Sequence, residues 1–202
     1  MDSSQLIALL RAYCPSDPAE RSMLAEILHL IQTHPADCAH RSLLHGHLTA
    51  SAWILNANRT HVLMTHHRKL NRWLQLGGHA DGDLDLPRVA LREAREESGL
   101  NSIRFLADDP FDVDIHNIPA RKDVPQHLHY DVRFLFTADD QEPLVISNDS
   151  LDLAWLAINQ LEPPDASIQR LIRKTQQRFG KLKTKQAKNC SLPRHPHRSE
   201  AE

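Results

Sequence analysis

The sequence contains little cysteine and no cysteine motif. Its 202 residues include three cysteines, Cys14, Cys38 and Cys190, which lie far apart and form no C-x-x-C pair. Disulfide frameworks and zinc knuckles both need an even or closely spaced set of cysteines. We therefore exclude both kinds of site, and we expect a soluble protein in a reducing, cytoplasmic setting.

Long apolar runs are also missing. A helix that spans a membrane needs about 20 predominantly apolar residues, and no segment of this chain approaches that length. Residues 1–4 carry no basic group ahead of an apolar stretch, as a secretory signal would. We expect neither a membrane partner nor a secretory leader.

The chain has almost no net charge, because 24 Lys and Arg balance 26 Asp and Glu to a formal charge of −2. This balance excludes a strongly polybasic binder, and we do not expect a nucleic-acid partner. The basic residues are nevertheless concentrated towards the end of the chain. Residues 180–202 are polar and basic and contain proline, which predicts a disordered tail. Binding of nucleic acid by this tail is the alternative.

Residues 1–42 read as a helical extension. Ser3 or Ser4 is the predicted cap of a short first helix, and Asp17 before Pro18 is the predicted cap of a second. In the second helix apolar residues recur with the spacing of one helix face: Leu24, Ile27, Leu28 and Ile31. We expect this face to pack against the rest of the chain. A homodimer built on the helix of residues 18–33 is the alternative.

Residues 43–179 read as one α/β (α+β) domain. The predicted strands are residues 47–55, 61–66, 73–76, 111–116, 127–136 and 151–156. The predicted helices are residues 86–99 and 165–179. Strands before and after a central helix indicate a sheet that is covered by helices.

The central helix carries an unusual group of carboxylates. Glu93, Glu96 and Glu97 share an arc of about 100° on one side of the helix. Like charges at this spacing repel one another, and Arg92 offsets only part of the repulsion. Hard divalent cations prefer carboxylate oxygens. The pattern therefore predicts a Mg²⁺ site on this helix, against the alternative of a solvated charged face.

The segment from Gly78 to Leu100 resembles the Nudix box. That motif is Gly, five residues, Glu, seven residues, and then Arg-Glu-apolar-any-Glu-Glu-any-Gly-apolar. The positions in register are Gly78, Arg92, Glu93, Ala94, Glu96, Glu97, Gly99 and Leu100. Leu84 departs from the motif, because it stands where the family has its first Glu. Neighbouring acids that could substitute are Asp81, Asp83 and Asp85.

The resemblance implies a Nudix-type α/β/α sandwich with a mixed sheet. It implies a metal-dependent pyrophosphohydrolase that cleaves a nucleoside diphosphate linked to another moiety, by attack of water at phosphorus. Glu96, Glu97 and the Gly78 carbonyl would bind Mg²⁺ or Mn²⁺. Glu93 would be a further ligand or would orient water, and Arg92 would hold the carboxylates. The general base stays open between Glu93 and an acid outside the motif, for which Asp149 is a candidate.

A second group of polar residues lies on the predicted strand of residues 127–136. Alternate residues of a strand share one face, so His127, His129, Asp131 and Arg133 lie together. We expect this face to border the substrate pocket. The predicted substrate contacts are His79, His116, Arg121, His129 and Asp131, with Lys122 beside Arg121. A zinc site of His116, His127 and His129 is one alternative, and an ordinary solvent face is another.

Other functions stay open on this sequence. Because Leu84 replaces the first Glu of the motif, a Nudix-fold module that binds a nucleotide without hydrolysing it is one alternative. A third option is an isomerase of the isopentenyl diphosphate type on the same fold. No cysteine lies near the motif or the histidine strand, which argues against an isomerase that uses cysteine as its acid.

Overall fold

A computed structural model describes residues 1–68, 70–121, 124–147, 150–161 and 165–180. Three predictions, the tail beyond residue 180, Lys122 and Asp149, fall outside these residues. The helices are α1 (Ser3–Ala12), α2 (Pro18–Thr33), α3 (Leu86–Ser98) and α4 (Ala166–Phe179). Within the described part of the chain, no helix combines the length and apolar character that crossing a bilayer requires.

The strands follow the predicted order with two additions. They are β1 (Gly46–Asn56), β2 (His61–His67), β3 (Arg72–Leu74), β4 (Leu76–His79), β5 (Arg104–Phe105), β6 (Asp112–Ile118), β7 (His127–Ala138) and β8 (Ser150–Ala157). The single strand predicted over residues 73–76 is two strands, because the chain changes partner at Gln75: β3 pairs with β2, and β4 pairs with β1. The two-residue strand β5 is too short to show a sequence period, so it was not predicted.

One mixed sheet forms the middle of the molecule, with β1 at its centre. All 11 residues of β1 are buried, and its register runs parallel to β7 along its whole length. On its other side, β1 pairs antiparallel with β4 near its start and with β2 near its end. Strands β6 and β8 extend the sheet through β7 and β2. Central placement explains why β1 is buried on both faces.

The two faces of the sheet pack against different helices. On one face, Leu48, Ala50 and Ala52 of β1 lie in a core that includes apolar residues of α1, α2 and α3. On the other face, Trp53 and Leu55 lie in a second core with residues of α4. Helices therefore cover both sides of the sheet, as the predicted α/β/α sandwich requires.

The N-terminal helices differ from the prediction in one cap. Asp2, rather than Ser3 or Ser4, caps α1: its carboxylate accepts from the Gln5 N–H, and the Gln5 side chain accepts from the Asp2 N–H. Both serines lie inside the first turn, where this reciprocal pair satisfies the helix start. The cap of α2 is Asp17, as predicted.

The apolar side of α2 is used within the chain. Its buried apolar residues, Leu24, Ile27, Leu30 and Ile31, join the same core as the sheet. This packing removes the sequence argument for a homodimer, since the face offered for a dimer is already covered.

Candidate active site

Helix α3 places the predicted carboxylates beside β4. The helix begins after Asp85 and ends at Gly99, whose φ of 72° is the left-handed conformation that glycine adopts easily. Its apolar side, with Val89, Ala90 and Ala94, packs into the core of the sheet. The opposite side of the helix therefore carries Glu93, Glu96 and Glu97, in the order that the helical period predicts.

The Gly77–Gly78 pair of β4 accommodates two of these carboxylates. The Gly77 N–H donates to Oε2 of Glu97 at 3.0 Å. At Gly78, a side chain would overlap the carboxylate of Glu93. The two glycines thus serve different purposes, since one donates a hydrogen bond and the other leaves space.

Arg92 holds the carboxylates together and ties α3 to β4. Its guanidinium lies 3.0 Å from Oε1 of Glu93 and 3.9 Å from Oε2 of Glu96. The same group donates to the carbonyl of His79 at 3.3 Å. This is the ion-pairing role that the motif resemblance implies for Arg92.

The three carboxylates differ in their exposure to water. The Glu93 side chain is 17% exposed, whereas that of Glu96 is 60% exposed. Burial raises the pKa of Glu93 above its ordinary value, and the nearby positive charge of Arg92 only partly opposes this rise. The environment of Glu93 therefore favours the protonated carboxyl.

The position of the missing motif glutamate is filled by apolar packing. Leu84 is half-buried and packs against the main core. Of the acids that could substitute, Asp81 forms a bidentate pair with Arg41, with N···O distances of 2.6 and 2.7 Å. Asp83 pairs with Arg88 at 2.7 Å, and Asp85 caps α3. Each of these aspartates already has a partner, which argues against a substitute for the glutamate.

Five histidine rings meet on the face of the sheet opposite α3. This histidine cluster consists of His47, His79, His116, His127 and His129. Ring centroids of His47 lie 5.2 Å from those of His79, His127 and His129, and His79 lies 4.8 Å from His129. His116 lies 5.3 Å from His129. The structure therefore brings together all four histidines that the sequence placed near a pocket.

His47 is the member that the sequence did not predict. It lies opposite His129 in the parallel pairing of β1 with β7. No sequence period reveals which residues of two distant parallel strands are neighbours. The only available signal was that His47 begins a predicted strand.

The histidine cluster and the carboxylates meet at β4 from opposite sides. Successive side chains of a strand point to opposite faces. Gly78 therefore faces Glu93 of α3, while the ring of His79 lies against His47 and His129. A bound molecule that reaches around this strand could contact both groups.

Burial keeps the inner rings of the cluster uncharged near neutral pH. It lowers the pKa of His79 to about 4, with a further contribution from the positive charge of Arg41. Burial and the neighbouring ring of His79 lower the pKa of His129 to about 2. Burial also lowers the pKa of His47. Neutral imidazoles can accept hydrogen bonds or coordinate metal ions.

Asp131 and Arg133 lie beyond the histidines on the same face, in a buried polar core. Asp131 is 1% exposed, and its carboxylate accepts from the hydroxyls of Thr49 and Ser51 and from Nε of Arg133 at 2.8 Å. Arg133 also lies 3.1 Å from both Asp112 and Asp114. This placement favours a structural role for Asp131 over direct contact with substrate.

The buried polar core continues to the helices. Arg170 of α4 donates to Asp112 at 2.7 and 2.8 Å and to Asp114 at 3.0 Å. Lys174 of α4 bonds to Asp112 at 2.8 Å and to the buried carboxylate of Glu20 in α2. Asp112 and Asp114 are alternate residues of β6 and so share one face, whereas no sequence pattern identifies α4 as the source of their partners.

His116 and Arg121 lie at the edge of the cluster. Nδ1 of His116 is 3.3 Å from the carboxylate of Asp114. Arg121 is exposed in the connection between β6 and β7, where its backbone pairs with Val124. His116 therefore borders the face on which the predicted pocket was placed, whereas Arg121 lies in the loop that joins β6 to β7.

A cavity of about 420 Å³ lies further along this face, at β2, β3 and β8. Trp73 and His66 stack at its wall with centroids 5.2 Å apart, and Arg72 and Gln160 supply polar groups. Only Leu74 and Gln75 separate Trp73 from β4 along the chain. The strand that carries Trp73 at the cavity wall thus leads directly into the strand that carries Gly77 and Gly78.

Comparisons with known proteins match this architecture. A family model described as NUDIX domain matches residues 45–175. Among solved structures, the C. elegans Ap4A hydrolase binary complex is 16% identical, with a TM-score of 0.51 over 63% of this chain and 93% of that chain. A NUDIX-family hydrolase from Clostridium perfringens is 23% identical, with a TM-score of 0.46 over 67% of this chain and 99% of that chain. No curated protein sequence matches this chain.

Proposed function

The chain belongs to the Nudix family, whose hydrolases act on pyrophosphate bonds, and from this premise we propose that it is a metal-dependent pyrophosphohydrolase. Its substrate is a nucleoside diphosphate linked to another moiety. The observation that carries the proposal is the meeting of two α3 carboxylates, those of Glu93 and Glu97, with the Gly77–Gly78 pair of β4.

The residues at this site fit a hard divalent cation. All candidate donors are oxygens, namely the carboxylates of Glu93, Glu96 and Glu97 and the carbonyl of Gly78, and Mg²⁺ and Mn²⁺ prefer such ligands. Two of these carboxylates, Glu93 and Glu96, also share Arg92 as a positive partner. The absence of a side chain at Gly78 leaves the Glu93 carboxylate room beside the backbone. When bound, the cation would neutralise charge on the pyrophosphate oxygens and acidify a bound water.

The residues around the cation have different roles in the proposed reaction. Glu96 and Glu97 hold the cation, and the Gly77 N–H fixes the direction of the Glu97 carboxylate. Glu93 orients the attacking water and takes up its proton, a role that its raised pKa supports. Arg92 holds the carboxylates beside β4, because its guanidinium also donates to the His79 carbonyl.

Groups on the other side of β4 hold the rest of the substrate. We assign the nucleoside base to the cavity beside Trp73, since aromatic rings stack on bases and Arg72 adds a cation there. His79, His116 and Arg121 are the proposed contacts for phosphate or sugar oxygens, because the two histidines border the same face and Arg121 lies in the loop that joins β6 to β7.

A product-resolved hydrolysis screen tests this function. The full chain is incubated with dinucleoside polyphosphates, nucleoside diphosphate sugars and nucleoside triphosphates, in Mg²⁺, in Mn²⁺ and in a chelator. We expect cleavage at a phosphoanhydride bond of at least one compound, supported by either metal and abolished by chelation.

Two variants locate the activity. Glu97→Gln keeps an oxygen that can accept from the Gly77 N–H but loses the charge, so we expect turnover to be lost in a folded protein. Glu26→Gln, at an exposed position of α2, is the matched control and should match the parent chain. Unchanged turnover in Glu97→Gln would refute the site.

The replacement of the motif glutamate by Leu84 makes a nucleotide-binding module the alternative function. The core packing of Leu84 leaves the site one carboxylate short of the family motif. Saturable binding of a nucleoside diphosphate, with no product after prolonged incubation in Mg²⁺ and Mn²⁺, would replace the hydrolase proposal by a sensor.

A further inference from the structure

Three members of the histidine cluster have their ring nitrogens close together. Nitrogen atoms of His47, His127 and His129 all lie within 4.8 Å of one another. His47 extends from β1, and the other two are alternate residues at the start of β7. Two neighbouring parallel strands of the central sheet therefore supply the group, so its backbone positions are fixed by the core of the fold.

Two of these rings carry buried nitrogen atoms without hydrogen-bond partners. His47 is 3% exposed, and neither its Nδ1 nor its Nε2 has a partner. Nε2 of His129 is also buried and has none. Burying a polar atom without a partner costs free energy, and most such atoms in proteins are satisfied. Unsatisfied ring nitrogens on two neighbouring histidines therefore indicate a missing ligand.

The third ring is already oriented for coordination. Nδ1 of His127 lies 2.9 Å from the carbonyl oxygen of Pro125, so Nδ1 carries the proton and donates it there. The lone pair of His127 is then on Nε2. Histidine ligands of metal ions commonly donate their other N–H to a carbonyl in this way, which fixes the tautomer and the ring direction.

From this arrangement we propose that His47, His127 and His129 bind a transition-metal ion of the Zn²⁺ class. Zn–N bonds of about 2.0–2.1 Å place tetrahedral ligands about 3.4 Å apart. Ring rotations bring nitrogens that are within 4.8 Å to this separation. Three protein ligands leave a fourth position open to water or substrate, as in catalytic rather than structural zinc sites.

This histidine site is separate from the carboxylate site on α3. Its donors are nitrogens, which suit Zn²⁺, Ni²⁺ and Cu²⁺, whereas the carboxylates suit Mg²⁺ and Mn²⁺. The two sites lie on opposite faces of the sheet at β4. Gly78 faces the carboxylates, and the next residue, His79, faces the histidines. The ring of His79 lies 4.8 Å from that of His129, so it borders the open position of the proposed ion.

The test measures metal content and coordination in the untagged full chain. The protein is stripped with a chelator, loaded with Zn²⁺, dialysed and analysed by elemental mass spectrometry. A second sample is titrated with Co²⁺ and followed by visible absorption, which reports coordination by nitrogen. We expect one tightly held equivalent of Zn²⁺ and a saturable Co²⁺ spectrum that Zn²⁺ displaces.

Single substitutions assign the ligands. His127→Gln, His129→Gln and His47→Gln should each weaken Zn²⁺ binding by more than about 100-fold, the upper end of the effect of losing an outer-shell partner. The controls are His29→Gln, at an exposed position of α2, and the double variant His195→Gln/His197→Gln in the tail. Both should bind as the parent chain does, and so should Glu97→Gln, which separates this site from the carboxylates.

Folding and binding are read separately. Each variant is checked by circular dichroism and thermal unfolding without metal, and His127, half-exposed at the start of β7, is the ligand whose replacement disturbs the core least. Loss of binding in folded His127→Gln supports the site. Failure of the parent chain to retain one equivalent of Zn²⁺, or retention in both His127→Gln and His129→Gln, would overturn it.

Discussion

Glu93 occupies the space that a side chain at Gly78 would need. A β-carbon at position 78 would lie 2.1 Å from Oε2 of Glu93 and 2.5 Å from its carboxyl carbon, far inside contact distance. The overlapping atoms belong to the end of the flexible Glu93 side chain, so an added β-carbon would displace the carboxylate and leave the backbone in place. The glycine therefore serves the carboxylate site rather than the strand.

The first prediction is that Gly78→Ala impairs catalysis without unfolding the protein. A displaced catalytic group typically lowers turnover by about 100-fold, and we expect at least this loss in kcat. Steady-state hydrolysis and thermal unfolding provide the measurements. Gly180→Ala is the control, because a β-carbon there meets no atom within 4 Å, although its φ of 81° strains the backbone; it therefore adds a side chain and strain away from the site. Equal activity of the two variants would contradict the role given to Gly78.

The second prediction concerns the cavity beside β3. Trp73→Leu keeps apolar packing but removes the ring, and base stacking on an aromatic ring is worth about 1–3 kcal/mol. We expect KM to rise about 10-fold or more, with a smaller change in kcat. Leu151→Ala, at an exposed position of neighbouring β8, should leave both constants unchanged. A Trp73→Leu enzyme with the parent KM would place the base elsewhere.

The third prediction contrasts a buried ion pair with a surface pair. Arg133 is 2% exposed and contacts three aspartates, so Arg133→Met removes the cation beside the buried Asp131 and one of the cations beside Asp112 and Asp114. Removing one partner from a buried pair costs about 3–5 kcal/mol of unfolding free energy. Arg173→Met breaks the exposed pair with Asp17 and should cost less than about 1 kcal/mol. Urea denaturation of both variants gives the comparison, and similar losses would refute it.

The fourth prediction is a pH dependence of stability that arises from Glu20. Burial raises the pKa of this carboxyl, but hydrogen bonds from Lys174 and Tyr13 outweigh burial and lower it from 4.5 to about 2. A depressed folded-state pKa means that the stabilisation is complete above the ordinary value and is lost as the pH falls towards 2. Between about pH 6 and about pH 2 this amounts to about 3 kcal/mol.

Glu20→Gln tests this dependence by urea denaturation at both pH values. The variant should be less stable than the parent at about pH 6, because Lys174 loses a buried anionic partner. Its stability should then decline less on acidification than that of the parent. Glu26→Gln, on the same helix but exposed, should follow the parent. Parallel pH profiles for Glu20→Gln and the parent would show that Glu20 does not titrate as stated.

Local signals in the sequence predicted the elements of the fold well. Asp17 directly precedes Pro18 and begins α2, and Asp85 lies two residues before Pro87 and begins α3. Gly99 ends α3 in the left-handed conformation. The period of the strand placed His129, Asp131 and Arg133 on one face of β7, and in the structure they lie opposite His116, Asp114 and Asp112 of β6. The Asp2 cap and the division into β3 and β4 were not predicted, because each depends on the hydrogen-bond partner that a single residue takes.

The sequence by itself determined the family, the order of elements and the three-carboxylate face of α3, because motif spacing and helical period are local properties of the chain. The tertiary structure alone decided which distant residues meet. It placed His47 beside His127 and His129, brought Lys174 and Arg170 to the aspartates, and buried Leu84. These outcomes depend on the register of parallel strands and on helix packing, in which contacts form between residues far apart in sequence and no local pattern records them.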